Sequence, residues 1–307
     1  MSMRTLVVIG LATSVAAVSV AVALAGQKDR YGPWESAAPV AGEVNSAAME
    51  GCPIVSPNGL SLYFASNRAG GVAGNAANDI WISRRADAGS PWGRPVNIGE
   101  PVNSAYSDYC PSPMRNGAFL FVSTRPMDSN GTPSCGGADI YRLVREDGVA
   151  KAVNLGCTVN SAGSEWSPYL LQAHGKTWLY FSSDGLGGEG GQDLFMSRLG
   201  DDGFGTPVAL APLNTEHNEF RPNLRQDGLE IVFDSDRPGR IGATDVYAST
   251  RASLHARWDE AWHVDAGGVN TAAGESRASL SWDGTALYFG RAGDIYSATR
   301  SKLGGDG

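Results

Sequence analysis

Asn45-Ser46-Ala47-Ala48-Met49-Glu50-Gly51-Cys52-Pro53, then Ser56-Pro57-Asn58-Gly59, Leu62-Tyr63-Phe64-Ala65-Ser66-Asn67-Arg68, a Gly-rich loop and Asp79-Ile80-Trp81: this succession runs five times through the chain. An Asn followed by Ser or Thr recurs as Asn45, Asn103, Asn160, Asn214 and Asn270. Five residues on comes a carboxylate: Glu50, Asp108, Glu165, Glu219 and Glu275. Pro53, Pro111, Pro168 and Pro222 follow three residues later, with Ala278 in the last copy. Next come the turn glycines Gly59, Gly117, Gly175, Gly228 and Gly284. After them come the runs Leu62-Tyr-Phe, Leu120-Phe-Val, Leu179-Tyr-Phe, Ile231-Val-Phe and Leu287-Tyr-Phe.

The spacing of the carboxylates is 54 to 58 residues. Periods of this size mean propellers, solenoids or arrays. Short apolar and aromatic runs between Gly, Asn and Asp turns are strand language, and residues 26–307 carry no convincing helical period. Four strands fit each unit. Strand A follows the carboxylate, and strand B is the Leu-Tyr-Phe run beyond a tight Asn58-Gly59 type of turn. Strand C starts at the Asp-Ile-Trp triplet. Strand D runs through Trp92 to Ile98, with equivalents near Val149, Phe204 and Trp258. The fifth unit stops after strand C, at Arg300. Trp34 precedes Asn45 by the same interval as Trp92 precedes Asn103, so residues 34–44 supply the missing strand. The expected fold is all-β: a five-bladed β-propeller of four-stranded blades over 34–300, closed without a free sheet edge.

Ahead of the repeats, Arg4 precedes an apolar run from Leu6 to Leu24, and Ala23-Leu24-Ala25 is a small-x-small cleavage site. Residues 1–25 read as a secretory signal peptide, with an uncleaved membrane anchor as the alternative. Residues 26–33 read as a linker and 301–307 as a disordered tail. A periplasmic or secreted monomer is expected. The net charge is −8 and no basic run exists, which excludes nucleic acid as a partner. Four Cys in an exported chain point to disulfides. Cys52–Cys110 with Cys135–Cys157 is the preferred pairing of the three possible. No Cys-x-x-Cys pair and no zinc-ligand spacing of His is present, so no cofactor or metal is expected. The one exception is Ca²⁺ held by oxygens at the channel mouth.

Ser56-Pro57-Asn58-Gly59, Leu62-Tyr63-Phe64-Ala65-Ser66-Asn67-Arg68 and Asp79-Ile80-Trp81 resemble the PD40 repeat, the WD40-like or TolB-type propeller unit. The resemblance spans essentially residues 34–300. It implies an exported propeller that serves as a binding or scaffolding module of a bacterial envelope. Related five-bladed propellers include glycoside hydrolases and lyases. The chain departs from the pattern at Asp184, which replaces the Arg after strand B, at Ala278, and at the short loop Arg291-Ala292-Gly293.

Strand A is innermost in a propeller, so the five carboxylates ring one mouth of the central channel. Arg68, Arg125, Arg237 and Arg291, at the start of the B–C loops, share that face. These groups either form a charged pocket or pair with one another as architecture; repetition favours architecture and asymmetry favours function. The asymmetry lies in two columns. One residue after the carboxylate stand Gly51, Tyr109, Trp166, Phe220 and Ser276. Two after it stand Cys52, Cys110, Ser167, Arg221 and Arg277. Tyr109, Trp166 and Phe220 are candidate sugar platforms or inter-blade packing. His217 lies in a loop on the same face and is a candidate acid/base. The Asp of each Asp-Ile-Trp triplet is read as a loop brace rather than a catalyst.

Two functions follow. The first is an exported, non-catalytic propeller that binds an envelope protein, peptide or glycan on the carboxylate face. The alternative is a carbohydrate-active enzyme, a glycoside hydrolase or polysaccharide lyase, working at the channel mouth through Glu165, Glu219, His217 and Arg221.

Overall fold

The computed structural model describes residues 30–74 and 77–303. The signal segment 1–25 lies outside the described residues. Five antiparallel sheets follow one another around a ring, as the repeats require. In blade 1, strands A to D are Glu50–Val55, Ser61–Ser66, Asp79–Arg84 and Val96–Asn97. Blades 2 and 4 repeat this order. In blade 3 strand D pairs with strand C in two stretches, Gly203–Phe204 and Val208–Ala209.

Blade 5 is closed from the front of the chain. Ala38–Pro39 pairs antiparallel with Asp294–Thr299, with Ala38 opposite Ser297. Trp34 is buried in a cluster with Val232 and Val246 of blade 4 and Leu287 and Phe289 of blade 5. The ordered ring extends beyond 34–300: Tyr31 bridges Lys302, and the Leu303 amide donates to the Arg30 carbonyl. A buried charge cluster holds this seam. Arg225 and Arg300 both bond Glu230, and Arg300 also covers the rings of Tyr31 and Trp34.

The core repeats with the blades. Phe64, Phe121, Phe181, Phe233 and Phe289 are fully buried at one strand B position. In blades 2 to 5 each stacks on a strand C aromatic: Tyr141, Phe195, Tyr247 and Tyr296. Blade 2 is one residue out of step with its turn glycine, because its A–B turn is shorter. Phe121, not Val122, therefore fills the common site.

Each repeated Asn has a definite job. The Asn103 side chain accepts from the Ile80 amide at 2.8 Å and donates to the Ile80 carbonyl at 2.9 Å. Asn45, Asn160, Asn214 and Asn270 do the same to Ile295, Ile140, Leu194 and Val246. A side-chain amide thus stands in for a peptide and ties each D–A loop to the preceding strand C, which satisfies buried backbone groups. The disulfides are Cys52–Cys110 and Cys135–Cys157. The inner strands of blades 1 and 2 come within 4.9 Å at their Cα atoms, close enough to bridge.

Candidate active site at the channel mouth

The carboxylate ring is built into the walls. Glu50, Asp108, Glu165, Glu219 and Glu275 are all buried. In each blade the Ser or Thr after the repeated Asn bonds the carboxylate through both its amide and its hydroxyl; for Glu219 both Thr215 bonds are 2.7 Å. Arg68, Arg125, Arg237 and Arg291 pair with Glu50, Asp108, Glu219 and Glu275 at 2.6–3.0 Å. Their guanidiniums also cover the stacked aromatics: Arg237 lies over Phe233 and Tyr247. Arg291 comes from two residues earlier in its blade than the others, because the B–C loop is cut short there. The hydroxyls, amides, guanidiniums and carboxylates of this motif bond one another, so it fixes the loops. Among the described residues no group of three His, Cys, Asp or Glu converges on a possible metal position.

Blade 3 lacks the arginine. Glu165 keeps only Ser161 and Ser183, and burial pushes its carboxyl above the usual range. Burial also raises Glu219, against the pull of Thr215 and Arg237. Neither residue of this candidate acid pair lines the axial cavity, and both are fully buried. His217 sits on the rim, with Nε2 3.8 Å from the exposed Glu216. The triplet Asp residues of blades 1 to 4 brace loops, as read: Asp139 accepts from the Cys135 and Gly136 amides.

The residues that break the symmetry meet at the axis. Two residues after each ring carboxylate the backbone turns left-handed, with φ between 48° and 60° at Cys52, Cys110, Ser167, Arg221 and Arg277. The register of strands A and B slips there in every blade. Such a bulge re-aims a side chain. It turns this column into the channel, where these residues and the prolines after them leave a cavity of only ≈ 30 Å³. That is room for about one water, so the channel is a floor rather than a pore.

Above the floor Tyr109 and Trp166 are half-buried, ring against ring at 5.5 Å, and pack on the blade 1–3 core. Phe220 is half-buried beneath the Arg221 guanidinium. Tyr109 and Trp166 therefore serve inter-blade packing, and all three rings keep part of their surface exposed. Opposite them stand Gly51, with the Arg277 guanidinium over it, and Ser276. Arg221 Nη1 bonds the buried Asp234 at 2.6 Å, and the Arg277 amide donates to the other Asp234 oxygen. Burial raises the Asp234 carboxyl despite Arg221. Sequence reasoning missed Asp234. It occupies the strand B position held by Ala65, Val122, Ser182 and Gly290, so the column itself carried the signal.

No family model matches the chain, and no curated protein sequence does. Solved structures share its fold. An α-L-arabinofuranosidase from Lactobacillus brevis superposes with a TM-score of 0.51 at 12% identity, over 86% of this chain and 94% of its own. A thermostable family-43 glycoside hydrolase gives 0.53 at 11%, over 87% and 93%. An exo-1,5-α-L-arabinanase from a bovine ruminal metagenomic library gives 0.51 at 13%, over 86% and 96%. At these identities the likeness establishes the five-bladed ring alone. The first functional expectation, a non-catalytic binding or scaffold module, is corrected here: these three neighbours are named as glycan-cleaving enzymes, which favours its alternative.

Proposed function

We propose that the chain is an exported carbohydrate-active enzyme that takes a glycan at the carboxylate-side mouth of the channel and cleaves it. The observation that carries this reading is where the symmetry breaks. The motifs that hold the blades repeat around the ring, with blade 3 lacking the arginine, whereas Tyr109, Trp166, Phe220, Arg221, Asp234 and Arg277 have no such repetition: Arg221 and Arg277 line the axial cavity, Asp234 bonds both, Tyr109 packs on Trp166 and Arg221 lies over Phe220. Aromatic faces beside a few convergent polar groups are the usual make-up of a small-molecule site. The reacting groups come from this cluster and not from Glu165 and Glu219, which are locked in loop architecture.

The test is product release by residues 26–307 from a panel of neutral and acidic glycans. Cleavage of at least one glycan is expected, lowered about tenfold or more by Trp166→Ala. Failure to cleave any of them, or full activity of the variant, contradicts the reading.

A further inference from the structure

The mouth holds a charge imbalance. Arg221 and Arg277 stand side by side on the strand A starts of blades 4 and 5, and Asp234 is the one carboxylate between them. Asp234 spends one oxygen on the Arg221 guanidinium and the other on the Arg277 backbone amide. The Arg277 guanidinium is left without a carboxylate of its own. Its Nε, and that of Arg221, are buried without a hydrogen-bond partner. The other side chains lining the floor are uncharged: Cys, Pro, Ser, Ile, Tyr, Ala and Asn. In a chain of net charge −8 this is a pocket with an excess positive charge. Burial first, and then the charge of Arg221, lower Arg277 to about 10, with Asp234 and Tyr109 opposing. A missing anion is the simplest relief of such a pair.

Position adds to this. The guanidinium of Arg277 lies over Gly51, at the mouth, where blades 2 to 4 carry aromatic rings. A sugar ring resting on the aromatic side would present its substituents to Arg277. A planar guanidinium with free N–H groups matches a carboxylate in bidentate fashion.

We propose that the sugar bound at the mouth is a uronic acid, with its carboxylate received by Arg277 and Arg221. The inference rests on the reading of the mouth as a glycan site and narrows its substrate class to acidic polysaccharides.

Calorimetric titration of residues 26–307 tests it with three probes: galacturonate, glucuronate and mannuronate oligosaccharides, the same oligosaccharides with their carboxyls reduced to alcohols, and a sulfated neutral oligosaccharide. At least one uronate series binds, about tenfold or more tighter than its reduced form. Arg277→Met brings the affinity for the uronate down to that for its reduced form, and Arg277→Lys restores part of the preference. Gly51→Ala, which keeps the charge and displaces the guanidinium, also weakens the uronate. Equal binding of acidic and reduced forms, tighter binding of the sulfated probe, or a preference that survives Arg277→Met overturns the inference while the glycan reading stands. Absence of binding by every probe overturns both.

Discussion

Arg277 of blade 5 lies across Gly51 of blade 1: a Cβ on residue 51 would come within 2.9 Å of the Arg277 Nη1 atom. Only the far end of a flexible side chain stands in the way, and Gly51 has an ordinary extended backbone. Gly51→Ala is therefore expected to change stability by less than about 1 kcal/mol. It should still alter ligand binding, because the guanidinium has to move. Thermal denaturation beside ligand titration checks the pair of outcomes. A large loss of stability would show that Gly51 serves packing instead.

The ring carboxylates divide by whether an arginine depends on them. Glu219→Gln leaves Arg237 largely buried without its charge partner and should cost roughly 3 kcal/mol. Glu165→Gln strands no arginine and should cost about 1 kcal/mol. Urea denaturation of the two variants measures the difference. Equal losses would remove the arginine from the explanation.

The seam between the ends of the chain is held by Trp34 as much as by strand pairing. Trp34→Ala empties a buried site between blades 4 and 5 and should cost about 3 kcal/mol or more. Glu230→Ala should do comparable damage, since it uncovers both Arg225 and Arg300. Melting temperatures of the two variants check this. Wild-type values would mean that the ring is not latched there.

His263 sets a pH dependence. Burial pulls its imidazole down, but Asp265 and Asp245 on its two nitrogens outweigh that and hold it above the usual histidine value. The raised value means that the charged form is favoured in the fold. Its stabilisation is complete below about pH 6.5 and is lost as pH rises through the folded-state value. The stability gap between the wild type and His263→Gln should therefore be widest in mild acid and narrow as pH rises. A gap that widened above neutrality would reverse the assignment.

The architecture was legible because the blades repeat. Asn45 to Glu50 and the Leu62-Tyr63-Phe64 run fix the strands by recurrence, and Trp34 copies Trp92, so even the closure could be read. The same repetition favoured architecture over chemistry for the charged ring. Distance along the sequence does not show that Arg68 is spent on Glu50, Ser66 and the Val44 carbonyl at once. The left-handed bulge at Cys52 and its counterparts was also hidden, because Cys, Ser and Arg are not residues that announce a positive φ. Without the bulge the alternation of side chains along strand A cannot be carried through to the channel. Asp234 escaped for a different reason: it sits inside a strand that reads as core.

The most direct measurement of the central claim is hydrogen exchange of residues 26–307 with and without a bound oligosaccharide from the glycan panel. Protection is expected at the strand A starts that frame the mouth, residues 51–52, 109–110, 166–167, 220–221 and 276–278. Protection placed instead in the ≈ 380 Å³ groove between blades 3 and 4, around Trp178 and Arg257, with none at the mouth, would contradict the account.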